Sequence, residues 1–216
     1  MKQIVIIIIG IIFLSSCSSK VITRGEQYAK MYEDQPSSIV IMPPINQTNE
    51  VEAKDYFYTT LYIPLCEKGY YVFSPYMTME MFQSESAYDS ELFLEGNLSI
   101  FREVLGADAA MFTIIKSWKR NVLMSKVTVG IEYILRSTQT GEVIYKREGL
   151  ISLDTGDSNS ILASIINTVS TDKIIVGRLC NSYVLSDMPE GKYSINYTKD
   201  QSFPAGKSYI KTTVKK

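Results

Sequence analysis

Three short apolar runs along the chain predict buried β-strands, at residues 38–42, 70–73 and 109–115. Pro43-Pro44 stops the first of them, because proline has no N–H to donate to a sheet. Between the strands, the helical spacing of apolar residues predicts helices over 50–68, 77–85, 89–93 and 98–105. Pro64 should kink the last turn of the first helix. This β-α-β-α-β order predicts parallel strands joined by right-handed crossovers.

The pattern then changes to a period of two residues. Apolar residues alternate with polar ones from Lys126 to Arg136, which predicts a strand with one face in water. A turn at 137–141 and a strand over 142–154 complete an antiparallel hairpin. Two helices are predicted next, one from about Asp157 and one over 174–185. The whole pattern predicts an α/β domain of three layers, with parallel strands first, then a hairpin and C-terminal helices.

The first seventeen residues have the pattern of a bacterial lipoprotein signal. A short positive segment precedes an apolar run at residues 4–14, which is 11 residues long. A transmembrane helix needs about 20 apolar residues, so the run predicts a secretory signal. Leu14-Ser15-Ser16-Cys17 resembles the lipobox, in which the cysteine takes a diacylglyceryl group and becomes the N-terminus. An uncleaved signal anchor with an incidental Cys17 is the alternative.

These features divide the chain into four predicted segments. Residues 1–16 are the signal peptide, 17–36 a lipidated tether with a helix-like piece, 37–188 an α/β periplasmic domain and 189–216 a basic tail that lies in solvent. Ser18 follows Cys17 in place of the aspartate that resembles an inner-membrane retention signal. We therefore expect the protein on the outer membrane, at its periplasmic face.

Composition excludes several classes of function. The 216 residues include no histidine, which excludes Ser-His-Asp and Cys-His catalysis and every His-ligated metal site. The formal net charge of −1 argues against a nucleic-acid binder, which would need a basic surface. Phosphate-binding glycine motifs and the nucleophile elbow are absent from the sequence, so no cofactor is predicted.

An acidic stretch offers one alternative, a cell-wall hydrolase; its members are Glu80, Glu85, Asp89, Glu91 and Glu95. Two carboxylates facing each other across a cleft could hydrolyse a glycan. Acidic residues spread over a helix and a turn usually form a solvated face, so we interpret the protein as non-enzymatic.

Two cysteines remain in the chain besides Cys17. The periplasm permits disulfides, so Cys66 and Cys180 could be bridged. The alternative is two separate buried thiols that behave as small apolar residues. The sequence leaves both readings open.

Aromatic residues crowd the predicted helix over 50–68, at Tyr56, Phe57, Tyr58 and Tyr62. Successive helical residues lie about 100° apart around the axis, so these four cannot all face one core. Tyrosine is enriched at protein interfaces, because it combines a large rigid body with a polar tip. We expect part of this set to bind a partner, with ordinary packing as the alternative.

Several ordered blocks between Tyr28 and Asp154 resemble a family of bacterial lipoproteins of unknown function, whose best-known member is a vaccine-candidate surface lipoprotein. The blocks are Tyr28-Ala29-Lys30-Met31-Tyr32, Met42-Pro43-Pro44-Ile45-Asn46, Val51-Glu52-Ala53-Lys54, Tyr56-Phe57-Tyr58, Gly69-Tyr70-Tyr71-Val72-Phe73, Ala87-Tyr88-Asp89 and Gly106-Ala107-Asp108-Ala109.

The resemblance implies a fold similar to the N-terminal domain of TolB, an α/β domain of an envelope system. It also implies protein partners, because members are often encoded beside a lipoprotein resembling the curli secretion channel and one relative forms dimers. The matching loop after the first strand contains Pro43, Pro44, Asn46 and Asn49. Loops at the carboxyl ends of parallel strands are where α/β folds usually place ligands.

We therefore expect an outer-membrane lipoprotein, anchored through Cys17, that serves as an assembly or accessory component of an envelope complex. The loop 43–49 and the helix residues 56–62 would contact the partner or a second copy of the chain. The alternative is a lipid-anchored periplasmic binding protein for a small envelope ligand, with a pocket lined by Tyr58, Tyr70 and Tyr88.

Overall fold

The computed structural model describes residues 21–84, 89–121, 123, 126–154 and 171–215. Several sequence predictions lie outside these residues: the signal peptide, the lipid-bearing Cys17, the helix from Asp157, and the positions of Glu85 and Tyr88.

One seven-stranded sheet organises the described chain. Its strands are β1 (Ser38–Ile41), β2 (Ile45–Asn46), β3 (Tyr71–Val72), β4 (Ala109–Asn121), β5 (Lys126–Ser137), β6 (Val143–Asp154) and β7 (Tyr209–Lys215). They lie in the order β3-β1-β4-β5-β6-β7, and β2 pairs with β4 farther along the same edge as β1. Strands β3, β1 and β4 are parallel, whereas β4, β5 and β6 are antiparallel. The predicted α/β fold is confirmed.

Helices cover both faces of the parallel half of the sheet. They are α1 (Arg24–Gln27), α2 (Ala29–Asp34), α3 (Ala53–Thr60), α4 (Tyr62–Glu67), α5 (Pro75–Ser84), α6 (Glu91–Leu94), α7 (Ser99–Leu105) and α8 (Thr171–Leu185). On one face α3, α4 and α8 pack against the sheet, and on the other α5 and α7 bury Phe82 and Phe101 against Val40 and Phe112. None of the helices described here has the length and apolarity that crossing a membrane requires.

The helix predicted over 50–68 is two helices in the structure. Helix α3 ends at Thr60 and α4 begins at Tyr62. Pro64 lacks the N–H that would bond to the Thr60 carbonyl. The helical hydrogen bonds are therefore interrupted between Thr60 and Tyr62, whereas the sequence predicted a kink in the last turn. Gly69 follows α4 with a φ of 83°, and a Cβ at this position would lie 2.4 Å from the backbone nitrogen of Ser194. Only glycine fits there.

Strand β5 differs from the predicted strand with one face in water, because both its faces are buried from Val129 to Ser137. Its buried charges have partners, as burial requires. The Arg136 guanidinium donates to the carbonyls of Phe93 and Leu94 at 2.9 and 2.8 Å, which ties the end of α6 to the sheet. Glu132 is equally buried, and its partners are side chains of the two neighbouring strands.

The buried Glu132 carboxylate makes the stability of the fold depend on pH. Its carboxylate lies 2.9 Å from Lys116 Nζ and 2.7 Å from Lys146 Nζ. Burial alone would raise the pKa of Glu132, but the hydrogen bonds from Lys146 and Lys116 outweigh burial and lower that pKa below its ordinary 4.5. A carboxyl whose pKa is lowered by folding stabilises the fold above its unfolded pKa. That contribution is lost as pH falls through the folded pKa.

We expect Glu132→Gln to lower the free energy of unfolding by about 1–3 kcal/mol at neutral pH, because it removes charge-assisted hydrogen bonds. The difference from the unaltered protein should shrink below pH 4.5, as measured by urea unfolding at both pH values. Glu142→Gln is the control, since the Glu142–Lys30 ion pair is exposed. A Glu132→Gln effect of the same size at acid and neutral pH would contradict this account.

Both ends of the described chain pack on the domain, in contrast to the predicted tether and solvated tail. Tyr28 and Met31 are core residues, so the segment after residue 24 belongs to the folded unit. Strand β7 pairs in parallel with β6 from Tyr209 to Lys215, and Asp200 is fully buried. Of the basic residues that indicated a solvated tail, Lys211 lies exposed on this edge strand between the half-buried Ile210 and Thr212.

A cluster that we name the terminal clasp joins the two ends; its members are Arg24, Tyr28, Asp187 and Asp200. The Asp187 carboxylate accepts from the Tyr28 hydroxyl at 2.8 Å, from the Gly206 N–H at 2.7 Å and from Arg24 Nε at 3.1 Å. Arg24 also lies 3.3 Å from Asp200. Burial and the hydrogen bond to Asp187 raise the pKa of Tyr28, which keeps its hydroxyl a donor.

Candidate partner-binding surface

The loop after β1 is a turn that holds itself in one shape. Asn46 Oδ1 accepts from the Thr48 N–H at 3.1 Å and from the Thr48 hydroxyl at 2.8 Å, and Asn46 Nδ2 donates to the Glu50 carbonyl at 2.8 Å. Pro43 and Pro44 are buried, so their prediction as contact residues is wrong. They lie between β1 and β2, which both pair with β4, and the chain does not reach the surface before β2. Asn49 is exposed at the tip.

The predicted aromatic helix divides between core and surface. Tyr58 is buried beside Phe57, with its hydroxyl 2.9 Å from the Pro75 carbonyl and 2.8 Å from Thr78 Oγ1. Tyr58 is part of the core beneath α3, and its hydroxyl reaches the first turn of α5, so its prediction as a contact residue is wrong. Tyr62 is exposed, as predicted for part of the set.

The ligand pocket of the alternative prediction is not assembled by the residues that can be placed. Tyr58 is in the core, and Tyr70 is also buried, with its hydroxyl donating to the Pro189 carbonyl at 2.8 Å. Both side chains are therefore used by the fold itself.

Tyr56 is held by charged groups of its own chain. Its hydroxyl donates to Glu52 Oε2 at 3.2 Å, and Lys173 Nζ lies 5.9 Å from its ring centroid. Lys173 also bonds to Glu52 at 2.7 Å and to Glu50 at 2.5 Å. The hydrogen bonds from Lys173 and Tyr56 lower the pKa of Glu52. Tyr56 is thus a fixed, half-buried part of the α3–α8 contact.

A shallow polar depression of about 380 Å³ borders the turn. Residues 47–50 form one wall, and residues 116–120 of β4 form the other. The strand side carries two lysines, one arginine and Trp118, and the turn side carries amide, hydroxyl and carboxylate groups. Such a lining can hydrogen-bond a small polar ligand.

Exposed aromatic and aliphatic side chains collect beside β3, the last strand on this side of the sheet. With the half-buried Phe73 they form a surface that we name the aromatic patch: Tyr62, Ile63, Tyr71, Phe73, Tyr76 and Met77. The rings of Tyr71 and Phe73 meet edge to face at 5.1 Å, and helix α4, which carries Tyr62 and Ile63, packs beside β3. The N–H groups of Tyr71 and Phe73 bond to β1, at 2.9 Å from the Ser37 carbonyl and 3.1 Å from the Ile39 carbonyl.

The aromatic patch has the chemistry of a protein-binding surface. Aromatic residues and methionine are enriched in such surfaces, and an edge strand offers unpaired backbone groups beside them. Sequence reasoning missed Tyr71 and Tyr76. The two-residue period of a strand, applied to Tyr70 and Tyr71, would have placed Tyr70 inside and Tyr71 outside.

The described members of the acidic stretch of the hydrolase alternative, Glu80, Asp89, Glu91 and Glu95, lie on the surface. Asp89 and Glu91 are exposed, and a hydrogen bond between them raises the pKa of Glu91. Within the ranges that the structure covers, no three acidic or cysteine side chains are grouped to hold a metal ion.

Cys66 and Cys180 are free thiols, so the bridge that the sequence left open is not formed. Cys180 is fully buried on α8, and burial raises the pKa of its thiol; Cys66 is half-buried on α4.

In a Cys17→Ala protein we expect one thiol to react with an aromatic disulfide reagent in the native state and two after unfolding. The Cys66→Ala variant should show none in the native state. Rapid reaction of both native thiols would contradict the placement of Cys180.

Residues 26–193 match the family model described as "Putative lipoprotein GNA1162-like". The chain belongs to this family. This family member is 22% identical over 177 residues to the "Putative lipoprotein NMB1124/NMB1162" of Neisseria meningitidis, a match that covers 79% of this chain and 82% of that protein. The predicted family is confirmed.

The crystal structure of lipoprotein GNA1162 from Neisseria meningitidis is similar in fold to this family member. The TM-score is 0.52 at 23% sequence identity, and the match covers 68% of this chain and 100% of that one. The family match includes both the aromatic patch and the polar depression, whereas β7 lies beyond it.

Proposed function

We propose that this protein is an outer-membrane lipoprotein, anchored through Cys17 at the periplasmic face, that acts as a non-enzymatic assembly or accessory component of an envelope complex. Membership of a lipoprotein family and the lipobox support the anchor. The observation that carries the assembly role is the aromatic patch beside β3.

A protein partner fits the patch better than a small molecule does. The side chains of the patch project from a strand edge and two helices rather than lining a cavity, and they are contiguous with the free edge of β3. Exposed aromatic side chains of this kind commonly supply most of the binding energy of an interface. The partner we expect is another envelope protein, such as a lipoprotein resembling the curli secretion channel, or a second copy of this chain in a homodimer. Asn49 lies outside the patch, as a separate candidate contact.

Purification of the tagged lipoprotein from envelopes in mild detergent tests this proposal. We expect the double variant Tyr71→Ala/Tyr76→Ala to lose the co-purifying protein by at least about tenfold, because truncating a hot-spot aromatic costs about 2 kcal/mol or more. The matched control is Tyr209→Ala, since this tyrosine is also exposed and lies on the opposite edge strand of the sheet. Equal recovery of the partner with the Tyr71→Ala/Tyr76→Ala variant and with the Tyr209→Ala control would overturn the proposal.

The polar depression favours a second candidate function, a lipid-anchored binding protein for a small envelope ligand. Trp118 lines the depression and reports on it. Under this alternative, soluble cell-wall glycan fragments should change the Trp118 fluorescence, and Lys119→Ala should weaken the response. An unchanged emission spectrum across such fragments would remove this candidate.

A further inference from the structure

The N-terminal end of the described chain is fixed to the surface of the domain. Thr23 forms an antiparallel bridge with Pro204. On either side of it, the Arg24 N–H donates to the Phe203 carbonyl and the Ala205 N–H to the Ile22 carbonyl, both at 2.8 Å. The Arg24 side chain is in turn paired with Asp187 and Asp200 of the terminal clasp. These bonds hold residues 22–24 against residues 203–205, and they therefore fix the direction in which residues 21–24 leave the domain.

Three large apolar side chains are exposed where this segment leaves the domain. Val21, Ile22 and Phe203 show about half or more of their side-chain surface to solvent. We name them the N-terminal apolar face. The Arg24 guanidinium carbon lies 5.9 Å from the Phe203 ring centroid, so the ring is supported from the domain side.

The spacing from Cys17 decides what can cover this face. Val21 is four residues after Cys17, and four residues reach at most about 14 Å. A cysteine that carries acyl chains lies at the membrane interface. The N-terminal apolar face therefore lies within that reach of the lipid, which leaves little room for another protein domain between the two.

We propose that Val21, Ile22 and Phe203 insert into the interface of the lipid bilayer and hold the domain in one orientation on the membrane. This inference rests on the proposed lipid anchor and goes beyond it, because an anchor alone leaves the domain free to rotate. Apolar side chains buried at the interface add to the binding that acyl chains provide. In this orientation α7, which packs on the opposite face of the sheet from α2 and α8, points away from the lipid.

Quenching of tryptophan fluorescence by lipid measures this orientation. Val21 on the N-terminal apolar face and Val104 on α7 are the same residue type and are each 63% exposed. Each is replaced by tryptophan in a full-length, lipidated Trp118→Phe protein. The proteins are reconstituted in vesicles of phosphatidylethanolamine and phosphatidylglycerol, with and without bromine on the acyl chains. We expect bromine to quench Val21→Trp severalfold more than Val104→Trp.

The outcomes separate this inference from the anchor. Protein that carries acyl chains by mass spectrometry and floats with the vesicles, but shows equal quenching at both positions, would overturn the orientation and leave the anchor intact. Protein that has no acyl mass and does not float would overturn both. Stronger quenching at Val104→Trp would show the opposite face on the membrane and contradict the proposal.

Discussion

Asp187→Ala is expected to lower the free energy of unfolding by about 3–5 kcal/mol, the usual cost of removing one partner of a buried ion pair. The Asp187 carboxylate is almost fully buried and accepts from Arg24, from the Tyr28 hydroxyl and from the Gly206 N–H. Without it, buried donors from both ends of the chain lose their acceptor. This loss would be a large fraction of the total, since the free energy of unfolding of a small domain is only about 5–15 kcal/mol.

Urea unfolding of the soluble Cys17→Ala form measures this effect. Asp187→Asn should cost less than Asp187→Ala, because an amide oxygen still accepts hydrogen bonds. Glu142→Ala is the matched control: it removes the exposed Lys30–Glu142 pair and should cost less than about 1 kcal/mol. If Asp187→Ala were no worse than Glu142→Ala, the terminal clasp would not hold the two ends to the core.

Cys17→Ala is expected to transfer the protein from the membrane fraction to the soluble fraction while the domain stays folded. The reason is that the proposed acyl chains supply most of the membrane affinity, whereas the core is built from residues after Val21. Fractionation of cells, with a salt wash of the membranes, measures the distribution.

Cys66→Ala is the control for this substitution, because Cys66 is a half-buried thiol on α4 far along the chain from the lipobox. It should leave the protein in the membrane fraction. Retention of Cys17→Ala in salt-washed membranes would contradict anchoring through Cys17.

Local patterns predicted most of the sheet. The apolar runs that became β1 and β4 and the alternation that became β5 are features of short windows of sequence, and each formed where the pattern indicated. The family resemblance rested on equally local blocks. The position of the break in the helix over 50–68 also has a local cause, the missing N–H of Pro64.

Features that depend on distant partners could not be predicted in this way. Arg136 is polar by type and belonged to a predicted wet face, but it is buried because carbonyls at the end of α6 accept its hydrogen bonds. The terminal clasp joins residues such as Arg24 and Asp187, which have no spacing in common. Periodicity carries no information about such pairs.

The candidate partner-binding surface was likewise predicted only where local patterns determine it. The sequence correctly indicated that the tyrosines of residues 56–62 could not share one face, but it could not tell which of them faced the core. Tyr58 is buried in the core, and Tyr62 is exposed. Tyr71 and Tyr76 join Tyr62 only because β3 is at the edge of the sheet, which depends on the order of all the strands.

Photo-crosslinking in living cells tests most directly whether the aromatic patch contacts a partner protein. A photoreactive phenylalanine analogue is placed at Tyr71 on β3 or at Tyr209 on β7, which are 54% and 45% exposed on opposite edges of the sheet. We predict a discrete crosslinked species from position 71, with an envelope protein or a second copy of this chain, and none of that species from position 209. Crosslinks to the same protein from both positions, or from position 209 alone, would contradict the account.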